Sequence, residues 1–179
     1  KRTIGIGPRK NKTFKVECPT TYLSTITFEN GSVIRLTLSF DVIAHQRNHI
    51  ELYGDKGSMI VPDPNMFGGS VYTCKKLGDP WKEHKTNKMP LGKINIRSQS
   101  SRANESSTNA NYRGAGLAEM AYSIQNKKIN KCNGELSLHI LDIIQSMMKA
   151  CKTGKAQSIK TTCKKPQPFS LKEVKKILK

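Results

Sequence analysis

The chain predicts an α+β fold, with an open-faced, predominantly antiparallel β-sheet and helices packed on one face. Three observations carry that expectation. Apolar and polar residues alternate as far as Cys74, apolar spacing changes to i, i+3, i+4, i+7 after Asn111, and glycine turn signals join successive strand segments tightly. Strands gathered ahead of helices do not fit the alternating order of a parallel sheet.

Thr3-Ile4-Gly5-Ile6 opens the first strand. In Thr21-Tyr22-Leu23-Ser24-Thr25-Ile26-Thr27-Phe28, Tyr22, Ser24, Ile26 and Phe28 share one face and Leu23 and the threonines the other. Glu29-Asn30-Gly31-Ser32 supplies an Asn-Gly hairpin signal, because both residues tolerate positive φ, and Val33 to Phe40 returns antiparallel. A second hairpin pairs His49–Tyr53 with Ser58–Val61 through Gly54-Asp55-Lys56-Gly57. Pro62 and Pro64 end it, since proline cannot donate to a ladder. Ser70–Cys74 reads as an edge strand. Leu23 and Leu36 are expected on the second face of the sheet, leaving an apolar surface for contacts.

From Lys85 to Asn111 the sequence is rich in Ser, Asn, Lys and Arg and reads as a long polar loop. Leu117, Met120, Ala121 and Ile124 then mark one face of a helix over about 116–126. A longer helix over about 135–152 carries Leu136, Ile140, Ile143, Ile144, Met147, Met148 and Cys151 on a wide face. With Leu138 and Leu141 beside it, that helix is expected to be deeply buried. Gly154 is its stop, and Ser170-Leu171-Lys172-Glu173 is a capping-box pattern that starts a short basic helix over 170–179.

Composition bounds the rest. The 179 residues suit one domain, are too few for a complete dehydrogenase or kinase, and are 36% hydrophobic, which allows only a thin core. No apolar run approaches the ~18 residues of a membrane span, and no secretory signal is visible. The chain opens at Lys1 within a strand-like segment, so a fragment is expected. Lys and Arg total 31 against 13 Asp and Glu, a formal net charge of +18. Such charge attracts phosphates. Yet Arg2, Arg9, Arg35, Arg47, Arg97, Arg102 and Arg113 are scattered, and the Lys-rich tail from Lys152 carries no row of aromatic residues for stacking. The charge is therefore read mostly as solvated surface rather than as a nucleic-acid interface. Five widely spaced cysteines lack any Cys-x-x-Cys pair and fit reduced thiols in a cytoplasmic protein.

Most chemical motifs dissolve on inspection. Gly5-Ile6-Gly7-Pro8-Arg9 begins like a dinucleotide fingerprint but lacks its third glycine and a following helix, so a strand end and turn are expected. Thr153-Gly154-Lys155-Ala156 resembles the end of a phosphate loop, but Ala156 stands where a magnesium-binding hydroxyl belongs. His45 and His49 have the spacing of a zinc helix, with Gln46 in place of the general base. In an extended segment, residues four apart lie roughly 13 Å from each other, so the two do not share a metal. His139 and Asp142, at i and i+3, form either an acid–base pair or a satisfied polar contact, and the polar contact is the expected reading. At Asn111-Tyr112-Arg113-Gly114-Ala115-Gly116 a cationic side chain stands before a glycine-rich helix start, where N–H groups and the helix dipole favour oxygen-rich ligands. The glycines there equally permit close helix packing. Both readings stay open.

Taken in order, these segments resemble the C-terminal domain of the Gfo/Idh/MocA (glucose-fructose oxidoreductase / inositol dehydrogenase) family. The resemblance rests on Thr25–Gly31 with Ser39-Phe40-Asp41-Val42, on Ile50–Gly57 running to Val61-Pro62-Asp63-Pro64-Asn65, and on Phe67-Gly68-Gly69. Arg113–Ala121, Gly134-Glu135-Leu136 to His139, and Lys165-Pro166 continue it. It covers nearly the whole chain, and the ordered series is more specific than any one segment.

The resemblance implies an NAD(P)-dependent oxidoreductase of sugars, polyols or related hydroxy compounds. Residues 1–179 would be one C-terminal substrate and oligomerisation domain, with the Rossmann nucleotide-binding domain upstream. The glycine fingerprint, a Glu-Lys-Pro lysine and the helix carrying Asp and His would lie in that upstream part. NAD or NADP is thus expected in the parent protein, while this chain carries no catalytic, cofactor-binding or metal residue and is inactive alone. Asn111, Tyr112 and Arg113 are the expected substrate-binding residues, by position beside the glycine motif. Expected partners are the nucleotide-binding domain, a sugar or polyol, and further copies of the chain through the open sheet face. A basic anion- or nucleic-acid-binding module and a pure oligomerisation scaffold are the alternatives.

Overall fold

A computed structural model describes residues 1–95 and 110–178. Residues 96–109, most of the expected polar loop, lie outside the described residues, as does Lys179. The chain forms two compact units, Lys1–Gln46 and Arg47–Lys179. Strands precede helices and every ladder is antiparallel, as the α+β expectation requires.

In the first unit, β1 (Arg2–Thr3) pairs with β2 (Thr13–Phe14), and β3 (Thr21–Thr27) with β4 (Val33–Ser39). The expected first strand is only two residues long, because Gly7 at φ 84° turns the chain and Lys10 N–H bonds to Gly7 O at 3.0 Å. The Asn-Gly hairpin closes differently from a two-residue turn. Gly31 N–H reaches Phe28 O and Phe28 N–H reaches Ser32 O, both at 2.9 Å, so a three-residue loop ends in a glycine bulge. Only Gly31 takes positive φ there, and Asn30 instead accepts the Ser32 N–H through its side chain at 3.0 Å.

Register corrects one face assignment. Ser24 lies opposite Leu36, Ile26 opposite Ile34 and Tyr22 opposite Leu38. Directly opposed residues share a face, so Leu36 joins Tyr22 and Ile26 rather than Leu23. The face with Leu23 is otherwise Thr21, Thr25, Thr27, Thr37 and Arg35 with Val33 at its end, and is largely polar. At the hairpin base, the Asp41 carboxylate accepts from the Thr20 and Thr21 hydroxyls and from Arg2, which ties β1 to β3 and β4.

The second unit holds a four-stranded sheet ordered β5 (Ile50–Gly54), β6 (Gly57–Val61), β7 (Ser70–Cys74), β8 (Lys82–Lys85). The expectation that Ser70–Cys74 is an edge strand fails. β7 is internal, because Lys82-Glu83-His84-Lys85 pairs alongside it and itself forms the edge. Its polar, charged sequence hid it from a search for apolar alternation, yet suits an edge strand that must resist further pairing. Among the described residues, no helix is long and apolar enough to cross a membrane.

Helices α1 (Ala115–Gln125), α2 (Gly134–Thr153) and α3 (Leu171–Ile177) fall within a residue or two of expectation. Gly154, at φ 66°, ends α2 by returning its N–H to Ala150 O, and the Ser170–Glu173 capping box starts α3. Their burial does not follow expectation. In α1 the buried positions are Ala115, Glu119 and Ser123, whereas Leu117, Met120 and Ile124 are exposed. The inversion has a polar cause. Glu119 accepts Lys131 N–H at 3.1 and 3.2 Å and the Ser123 hydroxyl at 2.9 Å, so the segment after α1 folds over its polar face.

α2 was expected to be deeply buried and has no buried residue. Leu138 (57% exposed), Leu141, Ile144 and Met148 face outward, while Leu136, Ile143 and Met147 are half-buried, because the described chain supplies too little apolar surface to cover both stripes. Lys131 fastens α3. Its ammonium lies 4.8 Å from the Phe169 ring centroid, 3.5 Å from Glu173 and 3.0 Å from Gln167 O.

Candidate functional site

The site takes shape where three loops meet ahead of α1. Asp63 caps the turn Pro64–Met66 by accepting Asn65 N–H, and Phe67 leaves that turn at φ 65°. Gly68 N–H then reaches Lys93 O at 3.2 Å and Asn95 N–H reaches Met66 O at 2.8 Å. The Thr86 hydroxyl lies 2.7 Å from both Gly69 O and Gly92 O and accepts Gly69 N–H. Backbone therefore packs directly on backbone. A Cβ at Gly68 would sit 2.2 Å from Gly92 O, and one at Gly92 would sit 1.9 Å from Thr86 O. Only glycine allows that approach.

Onto this knot the segment from Ala110 to Gly114 delivers the three expected site residues. Ala110 N–H bonds to Ile94 O at 3.0 Å, and Asn95 Oδ1 accepts Tyr112 N–H at 2.7 Å. The Tyr112 ring packs on Phe67, with centroids 5.1 Å apart and planes at 49°, so Tyr112 is half-buried. Asn111 and Arg113 remain exposed, and Asn111 Oδ1 accepts Arg113 N–H at 3.3 Å. Tyr112 thus anchors the segment, and its two neighbours are presented to solvent.

The open question about the glycines resolves against packing. A Cβ added at Gly114 or at Gly116 meets nothing within 4 Å. Gly114 is the N-cap of α1 and no side chain caps it, so space lies open at a helix start whose first N–H groups need partners. Two residues of this site were not foreseen. Phe67 was noted only as part of a glycine motif. Asn95 sits in a polar stretch without periodicity, and nothing in the sequence marks it as the 1% exposed side chain that it is.

The other candidates reduce to structure. Gly5-Ile6-Gly7 is the turn between β1 and β2. His49 Nε2 lies 3.9 Å from Asp63, and among the described residues no group of three His, Cys, Asp or Glu side chains could hold a metal ion. His139 and Asp142 meet through Thr161. Asp142 Oδ2 accepts Thr161 N–H at 3.0 Å, the Thr161 hydroxyl at 2.9 Å and Lys160 N–H at 2.9 Å. Because the Thr161 hydroxyl proton goes to Asp142, His139 Nδ1 donates to the Thr161 oxygen, 3.0 Å away. The pair fastens the segment after Gly154 along α2.

These bonds carry a pH signature. The Thr161 backbone N–H, its hydroxyl and the Lys160 N–H hold the Asp142 carboxyl below its ordinary value of 3.8, and Ser170 does the same for Glu173 below 4.5. A folded value depressed in this way stabilises above the unfolded value and is lost as pH falls through the folded one. Thermal melts are expected to lose stability as pH drops below about 4. The Asp142→Asn variant, destabilised at neutral pH, is expected to converge on the wild type at the acid end. A wild-type-to-variant gap independent of pH would contradict this role.

Residues 6–161 match the family model described as "Oxidoreductase family, C-terminal alpha/beta domain". No curated protein and no solved structure matches the chain.

Proposed function

We propose, since this chain belongs to the Gfo/Idh/MocA oxidoreductase family as its C-terminal α/β domain, that it forms the substrate-side half of an NAD(P)-dependent oxidoreductase acting on a sugar, polyol or related hydroxy compound. The observation that carries the reading is the open, uncapped start of α1 beside the exposed Asn111 and Arg113, which Tyr112 and Phe67 hold in place. Hydroxyl-rich ligands need donors and acceptors on a rigid support. Asn111 supplies both, Arg113 a fixed fork of donors, and the loop knot the support.

Hydride transfer needs a nicotinamide site, which in this reading a separate nucleotide-binding domain provides. The outward apolar stripes of α1 (Leu117, Met120, Ile124) and α2 (Leu138, Leu141, Ile144, Met148) are the surfaces such a domain would cover, and the open sheet face is where further copies of the chain would meet. A cytoplasmic setting agrees with five cysteines that form no disulfide. The test is a calorimetric titration of the 179-residue chain with NADH and NADPH. The chain is expected to bind neither and to reduce no substrate, whereas a protein joining it to the nucleotide-binding domain is expected to do both.

A further inference from the structure

We propose that the start of α1 is an oxyanion site, so that the ligand of this cleft carries a carboxylate or phosphate as well as hydroxyl groups. The inference rests on the substrate-cleft reading and narrows its substrate class. Its first observation is Asn95. The side chain is 1% exposed and its Oδ1 is occupied by Tyr112 N–H, yet its Nδ2 has no hydrogen-bond partner. A buried donor left unpaired costs about 1–3 kcal/mol, and such groups concentrate where a ligand or ion completes them.

The second observation is the helix itself. α1 runs for 11 residues, its N-cap is Gly114, and no side chain caps it. Ala115 N–H bonds to Tyr112 O and Ala118 N–H to Gly114 O, while the N–H groups of Gly116 and Leu117 have no partner among the described residues. They face a start that is open above both glycines, where the helix dipole favours negative charge.

Asn95 is bonded to Tyr112, three residues ahead of Ala115, so the orphaned donor and the free N–H groups belong to one short stretch. Every unpaired group in it donates and none accepts, which selects an anionic oxygen over a neutral hydroxyl that must also donate. The one carboxylate on the inner face of α1, Glu119, is already filled by Ser123 and Lys131. Asn95 is covered, so the oxyanion reaches it through a local parting of these loops.

The experiment follows the backbone and Asn side-chain amide resonances of the ¹⁵N-labelled chain during titration with D-gluconate, with glucose 6-phosphate and with neutral D-glucose, at about 150 mM salt to screen loose surface attraction. Gluconate, glucose 6-phosphate or both are expected to shift Gly116, Leu117 and the Asn95 side-chain amide, and which of the two binds tells carboxylate from phosphate. D-Glucose is expected to shift them at least tenfold less at equal concentration. Asn95→Asp keeps an acceptor for Tyr112 N–H and replaces the free donor by a carboxylate oxygen, so anion affinity is expected to fall at least tenfold while the melting curve stays cooperative. Should that variant fail to fold, the wild-type shifts decide alone. Equal shifts with glucose, shifts confined to the lysine-rich tail, or no shift with either anion would overturn the proposal. None of these readings involves a nicotinamide, so the oxyanion site can fail while the oxidoreductase reading stands.

Discussion

Gly68→Ala and Gly92→Ala are each expected to destabilise the second unit by about 2–3 kcal/mol, the cost of forcing an extra carbon into a filled space. The reason is the identity of what the new methyl would strike. At Gly68 the nearest atoms are Gly92 O at 2.2 Å, Lys93 C at 2.5 Å and Gly92 C at 2.7 Å, and at Gly92 they are Thr86 O at 1.9 Å and Thr86 C at 2.9 Å. All are backbone, so no rotamer change relieves the clash. Either substitution pushes apart the strands of loop that hold Asn95, and with them the support of Tyr112. Gly116→Ala is the control. It meets open space, lies inside α1, and is expected to be neutral or stabilising by about 0.5 kcal/mol, because alanine loses less backbone freedom in a helix. Denaturant melts of the three variants measure the contrast. Equal midpoints for Gly68→Ala and Gly116→Ala would show that the loops are loosely packed.

Removing the buried carboxylate of α1 is expected to cost about 2 kcal/mol in Glu119→Ala, because Lys131 N–H is left without an acceptor in a partly buried position. The loss reaches beyond α1. Once Lys131 is freed at its backbone, its side chain no longer holds Glu173, Gln167 O and the Phe169 ring together, so hydrogen exchange in α3 is expected to speed up with that of α1. Glu119→Gln keeps one acceptor oxygen of the same shape and is expected to lose less than half as much. A Glu119→Ala protein that melts like the wild type, with α3 still protected, would remove the polar explanation for the outward apolar face of α1.

The parts of this chain that local chemistry decides were readable from its residues. Asn30-Gly31 placed the first hairpin, Gly154 ended α2, and Ser170 with Glu173 started α3, because each rests on a backbone preference met within a few residues. Tertiary choices were not readable. Period alone located α1 but assigned its burial to Leu117, Met120 and Ile124, since nothing in the spacing says that Lys131 N–H will claim Glu119 and turn the helix over. The strand Lys82–Lys85 was invisible for a related reason, its side chains being chosen for an edge and not for a core. Of the site, Asn111, Tyr112 and Arg113 could be singled out from the glycine motif that follows them. Asn95 could not, because its burial depends on contacts with Met66 and Tyr112 that are distant in sequence.

The account's central claim is that this domain holds the substrate side of the cleft and leaves the nicotinamide to another domain. Calorimetry of the 179-residue chain with NADH and NADPH tests it most directly. The expected trace shows no saturable heat with either nucleotide, even at millimolar concentration, on a sample whose cooperative melting proves it folded. Saturable binding of either at micromolar concentration would contradict the claim and place the cofactor site within this chain.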